Sequence, residues 1–134
     1  MSLPRLSLLL SGIGFLALGA YFLLFPDSLF QLFDVASPPN HMLVEIGAMY
    51  GGLEIGLGLA FLVCSSQARW VRSALAVQIS VFGGLAAGRL FGMMSRGITG
   101  RMFVGFLLVE LAGMALGIVA FRRARQMMIQ SNLH

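Results

Sequence analysis

A chain of 134 residues in which 58% are hydrophobic and only 10% charged, with a mean hydropathy of +0.90, lies outside the range of water-soluble domains, which carry roughly a quarter charged residues. Its formal charge of +4 comes from nine arginines without lysine. These gather at the ends of apolar runs instead of forming a basic stripe interleaved with aromatics, which excludes a nucleic-acid-binding domain. Cys64 is the single cysteine, so no internal disulfide forms, and collagen, disordered and disulfide-scaffold classes are excluded with it.

Four apolar segments occur in succession: Leu6 to Phe25, Met42 to Cys64, Ser73 to Met94 and Met102 to Phe121. Each is near the roughly 20 residues that a helix needs to cross about 30 Å of hydrocarbon. The first continues without a break through Phe22, Leu23, Leu24 and Phe25, which fits a retained span better than a cleaved leader. Pro26 stops it, and Ser37, Pro38, Pro39 and Asn40 precede the second. The long connection 26–41 holds Leu29, Phe30, Leu32 and Phe33 beside Asp27 and Asp34, either a short interfacial amphipathic segment or an irregular loop. The connections at Ser65 to Arg72 and Ser95 to Arg101 are short, so neighbouring spans form antiparallel hairpins. The expected architecture is one all-α transmembrane domain over 1–134, an integral membrane four-helix bundle of two hairpins with a tail at 122–134.

Arginine placement sets the expected orientation. Arg5, Arg69, Arg72, Arg122, Arg123 and Arg125 fall on one side and Arg96 and Arg101 on the other; six against two puts both termini in the cytoplasm. Trp70, between Arg69 and Arg72, reads as an interfacial anchor on the same side. An internal parallel repeat is possible in outline: Leu43-Val44-Glu45-Ile46-Gly47-Ala48-Met49 matches Leu108-Val109-Glu110-Leu111-Ala112-Gly113-Met114, and Gly14-Phe15-Leu16-Ala17-Leu18-Gly19 matches Gly83-Gly84-Leu85-Ala86-Ala87-Gly88. Glycines recur at four-residue spacing, at Gly47 and Gly51, Gly52 and Gly56, Gly84, Gly88 and Gly92, and Gly113 and Gly117. Such spacing predicts close helix packing, because lipid supplies no hydrophobic force between helices and small residues let backbones approach.

Glu45, Glu54, Arg89 and Glu110 lie inside the predicted spans. An intramembrane charge costs at least about 2.5 kcal/mol on insertion scales and so faces protein or water, which makes these residues the functional candidates. At about 1.5 Å per residue from the outer helix ends, Glu45 lies about 4 to 5 Å deep, Arg89 about 8 Å, Glu110 about 12 Å and Glu54 about 18 Å. Arg89 therefore falls between the shallow and the deep acids. Glu54 shares an α-helical face with Gly47, Tyr50, Gly51 and Gly58, and Glu110 with Gly113, Met114 and Gly117. Glu45, nine residues before Glu54, points about 180° away from it. Arg89 either neutralises one Glu in a structural ion pair or clamps a ligand. Three acids against one base leave surplus carboxyl, which low dielectric favours in its neutral form, suited to a general acid or proton carrier, with the Tyr50 hydroxyl one turn away.

The remaining polar residues say less. His41 has no second His or Cys at ligand spacing, so no metal site is expected. Gln78 and Tyr21 are expected to hydrogen-bond between helices, Met93-Met94 and Met127-Met128 to fill packing or lipid-facing positions, and His134 only ends a polar tail. Walker, Rossmann, Ser-His-Asp and zinc-protease spacings are missing, and no cofactor is implied.

The run Glu45-Ile46-Gly47-Ala48-Met49-Tyr50-Gly51-Gly52-Leu53-Glu54-Ile55-Gly56-Leu57-Gly58-Leu59, then Phe82-Gly83-Gly84-Leu85-Ala86-Ala87-Gly88-Arg89-Leu90 and a final-helix Glu110-Leu111, resembles the small four-helix bacterial membrane proteins grouped as domain of unknown function family 4345. The resemblance spans nearly the whole chain, and its most specific elements are the Tyr-Gly-Gly of the second helix, the Gly-Arg of the third and the Glu of the fourth. It implies a multi-pass protein of the bacterial inner membrane, without a settled activity. The family pattern often has Arg just after the first Glu of the second helix, where this chain has Gly47, which removes a partner from Glu45.

The leading expectation is a module without catalysis that binds an apolar or lipid-like molecule, or a partner subunit, at Arg89, Glu54, Glu110, Tyr50 and Glu45. The alternatives are an intramembrane acid-base enzyme using Glu54, Glu110 or Tyr50 for an isomerisation, cyclisation or epoxide opening, and a proton-coupled transporter working as a dimer. Partners are the lipid bilayer, a hydrophobic small molecule, and a second copy or larger membrane complex, with no nucleic acid.

Overall fold

The computed structural model describes residues 1–33, 35, 36 and 38–131; Asp34, Ser37 and His134, and the side chains of Met127 and Met128, lie outside the described residues. Among them the chain is all-α, with no strand, and has four helices long and apolar enough to cross a membrane: Leu3–Leu24, Asn40–Ser66, Ala68–Arg96 and Arg101–Gln126.

Helix α1 (Leu3–Leu24) takes Pro4 in its first turn, where no intrahelical N–H is lost, and ends just before Pro26. The long connection contains a short helix, α2 (Asp27–Gln31), with Asp27 in its first turn facing the positive helix end. Pro39, extended at φ −61° and ψ 143°, sets the start of α3 (Asn40–Ile46). The second span then departs from α-helical geometry. Gly47–Gly52 form a π-helical turn, in which the Leu53 N–H reaches back five residues to the Ala48 carbonyl, before α4 (Leu53–Ser66) resumes. A π turn inserts one residue beyond the α-helical count and so rotates the helix before it by about 100° relative to the helix after it.

The connection from α4 to α5 (Ala68–Arg96) is Gln67 alone, at φ −109° and ψ 110°. The connection expected at Ser65 to Arg72 is thus almost entirely helical, and α5 begins five residues before Ser73. Helix α6 (Arg101–Ser131) likewise runs on past Phe121. Hydropathy marks where lipid ends, whereas a helix ends where its backbone chemistry stops it, so Arg69, Trp70, Arg72 and Arg122 to Arg125 are all helical. Between α5 and α6 the stop is Gly97, left-handed at φ 65°, whose N–H bonds the Met93 carbonyl. A side chain costs about 1 kcal/mol in that conformation, so Gly97→Ala should lower stability by about 1 kcal/mol in a detergent unfolding titration.

The helices group into two compact units, Leu9–Val63 and Met1–Leu8 with the chain from Cys64 onward. In the first, α1 meets the second span backbone to backbone at two points. A Cβ on Gly58 would lie 2.7 Å from Leu16 Cγ and 2.8 Å from the Gly12 carbonyl, and one on Gly19 would lie 2.8 Å from the Gly51 carbonyl and the Ile55 nitrogen. Phe15 of α1 and Phe61 of α4 also meet, their ring centroids 5.8 Å apart. The glycines in contact are seven apart on each helix, Gly12 with Gly19 and Gly51 with Gly58, rather than four. Gly56, Gly84, Gly88 and Gly92 have nothing within 4 Å of where a Cβ would stand, so their spacing does not mark a contact.

In the second unit α5 and α6 pack through Phe82 and Ile79, which lie over Gly113 and Gly117. Gln78 is fully buried: Nε2 donates to the Gly113 carbonyl at 3.3 Å, and the Ser7 hydroxyl of α1 is 3.0 Å from Nε2 and 3.1 Å from Oε1. An amide carries both donors and acceptors, so it satisfies a hydroxyl and a carbonyl from two different helices where hydrocarbon would leave them bare. Tyr21 does not act this way: its ring lies edge-on to Phe22 and tilted against Phe25, with centroids at 5.4 and 5.6 Å, and its hydroxyl makes no hydrogen bond among the described residues.

Candidate functional site

Arg89 stands on α5 about two turns before its end and Glu110 on α6, three residues before the contact glycine Gly113. The packing of Gly113 against Phe82 draws the two helices close and turns Glu110 inward. The ion pair is made along one edge of the guanidinium. Arg89 Nε lies 3.0 Å from both Glu110 oxygens, and Nη2 lies 2.6 Å from Oε1. Side-chain exposure is 24% for Arg89 and 8% for Glu110, so the acid is enclosed while part of the base is open. Phe106, one turn before Glu110, presents its ring 5.1 Å from the Arg89 guanidinium carbon. Sequence reasoning passed over Phe106; the signal was its four-residue spacing from Glu110, which puts both on one face of α6.

A guanidinium has five N–H donors. Glu110 takes the Nε–H and one on Nη2, which leaves the second Nη2 hydrogen and both on Nη1 without an acceptor among the described residues. Gly88 and Gly92, one residue before and three after Arg89 on α5, have nothing within 4 Å of where a Cβ would stand.

The other candidates belong to the first unit. Glu54 is the second residue of α4, flanked on the α1-facing side by the contact glycines Gly51 and Gly58; it is half-buried, and its Oε2 is buried without a hydrogen-bond partner among the described residues. Tyr50 lies within the π turn, 43% exposed, with its ring edge-on to Phe22 at 6.0 Å. The expected shared face of Glu54 and Tyr50 assumed α-helical phase, and the π turn intervenes between them. The same insertion alters the relation of Glu45 to Glu54 from about 180° to about 80°. Glu45 itself is exposed on α3 and makes no ion pair among the described residues. Among the described residues no cluster of His, Cys, Asp or Glu could hold a metal ion.

No curated protein and no solved structure matches the chain. The family model described as Domain of unknown function (DUF4345) matches residues 3–121, which takes in nearly all of the four long helices, the Arg89–Glu110 pair and the π turn. A match over that share of the sequence assigns the chain to the DUF4345 family.

Proposed function

We propose that this protein is a small multi-pass module that binds an apolar or lipid-like molecule, or the polar group of a partner subunit, through Arg89, with both termini on the cytoplasmic side of a bacterial inner membrane. The observation that carries the reading is the half-used guanidinium: Glu110 fixes one edge of Arg89, and the remaining N–H groups meet no acceptor among the described residues. Donors inside hydrocarbon that meet no acceptor are costly, so they favour a ligand with an anionic or carbonyl head. Gly88 and Gly92, within three residues of Arg89 on α5, carry no side chain to compete with the ligand's tail.

Native mass spectrometry of protein extracted in mild detergent tests this. A co-retained molecule should be present with the native chain and lost from Arg89→Gln and from Gly92→Leu, which adds a bulky side chain one turn after Arg89. Retention unchanged in both variants, with helicity intact, sinks the proposal.

A second reading has its own support in the buried, unpartnered Glu54 Oε2. Glu54 would serve as general acid toward a hydrophobic substrate, with the Tyr50 hydroxyl assisting. Glu110 is less suited to that work, since Arg89 occupies both its oxygens. Glu54→Gln separates the two readings: ligand retention survives under the first, and turnover disappears under the second.

A further inference from the structure

The unit made of Met1–Leu8 and the chain from Cys64 onward carries six arginines at one end: Arg5, Arg69, Arg72, Arg122, Arg123 and Arg125. All six are exposed, and none makes an ion pair among the described residues. The nearest acid along α6, Glu110, is twelve residues before Arg122, about 18 Å away. Two of the guanidiniums are held against aromatic rings. Arg69 lies 5.3 Å from the Trp70 ring and also donates to Gln67 Oε1 at 3.4 Å, while Arg72 lies 5.2 Å from the ring of Phe121 on α6. This last contact joins the start of α5 to the stretch of α6 that carries Arg122, Arg123 and Arg125. The inner side of that stretch is closed by Ala120 and Ala124, both buried, so the arginines point away from the packing.

We propose that this arginine end is a docking surface for anionic phospholipid headgroups, centred on Arg69, Trp70 and Arg72. Planar guanidiniums match phosphate oxygens two at a time, and the rings of Trp70 and Phe121, 5.3 and 5.2 Å from the Arg69 and Arg72 guanidinium carbons, hold these side chains in place before a phosphate arrives. Trp70, 46% exposed between them, has the amphipathic ring that settles at headgroup level. The apolar faces of α5 and α6 continue from this point, as acyl chains attached to the headgroup require. An acidic protein would match the charge but has no use for the half-exposed indole or for the apolar helix surface beside it.

The chain supplies its own reporter, since Trp70 is its one tryptophan. The full protein is reconstituted in phosphatidylcholine bilayers that contain brominated phosphatidylglycerol or, at equal mole fraction, brominated phosphatidylcholine, and quenching of Trp70 is compared. At about one surface arginine's worth of attraction, phosphatidylglycerol should be preferred about fivefold at low salt. The preference should fall toward unity in Arg69→Gln/Arg72→Gln and part of the way in Arg122→Gln/Arg125→Gln, with quenching by brominated phosphatidylcholine unchanged as the sign that the variants insert and fold. Equal quenching of the native chain by the two lipids overturns the proposal, and a Trp70 emission shift on adding polyglutamate would then transfer the surface to an acidic protein. Loss of the preference on replacing chloride by inorganic phosphate at fixed ionic strength assigns the surface to free anions and overturns it as well.

Discussion

Glu110→Ala should destabilise the folded protein by about 3 kcal/mol, and Arg89→Leu by distinctly less, although the two changes break the same ion pair. The asymmetry lies in the chemistry of the residue left behind. An orphaned guanidinium cannot shed its proton, so the Arg89 charge would stay in the packed interface between α5 and α6 or drag its side chain toward the headgroups. An orphaned carboxyl escapes its charge by binding a proton. Removing both partners in Arg89→Leu/Glu110→Leu should return most of the stability, because the attraction within a buried pair roughly offsets its desolvation. Steric trapping or denaturant unfolding in bilayer discs would measure the cycle. A Glu110→Ala protein as stable as the native one would show that the pair contributes neither stability nor constraint on the guanidinium, and the ligand site proposed on Arg89 would lose its fixed geometry.

The second large effect concerns the contact of α1 with the second span. Gly58→Ala should cost about 2 kcal/mol, because the new Cβ would press on Leu16 and on the Gly12 carbonyl at 2.7 and 2.8 Å. Two of the three atoms it meets there, the Gly12 oxygen and the Leu16 nitrogen, are backbone, which cannot rotate away as a flexible side-chain tip does. Gly56→Ala, two residues earlier on the same helix, should be neutral to about 0.5 kcal/mol stabilising. Nothing lies within 4 Å of its Cβ position. The gain is small because a membrane span stays helical when it separates from its neighbours, so little backbone freedom is removed from the unfolded state. Thermal unfolding of the two variants side by side, with equal losses or none in both, would contradict the packing described for Gly58.

Mean hydropathy and punctuation were enough to settle the number of long helices and several of the places where they begin or stop. Lipid solvates apolar side chains all round a helix, so long uncharged runs must span, while Pro26, Pro39 and Gly97 bound helices through their own backbones. That Arg89 lies at the depth of an acid was also legible, because helical rise converts sequence distance into depth, but rise puts it about 4 Å from both Glu45 and Glu110 along the helix axes and does not choose between them; the structure pairs it with Glu110. Their partner Phe106 needed the rotation of α6 against α5, which rise alone does not give. In water the apolar stripe of a helix reports its inward face, but a span that is apolar on every side reports none, so the contact glycines could not be told from the open ones. For the same reason the π turn at Gly47–Gly52 left no mark in the pattern, and it took the phase of Tyr50 and Glu45 with it. Sequence alone determined which segments form long apolar helices and how far along them each residue lies; only tertiary structure decided which way the residues turn, because position along a helix comes from chain length and facing comes from what the neighbouring helix presses against.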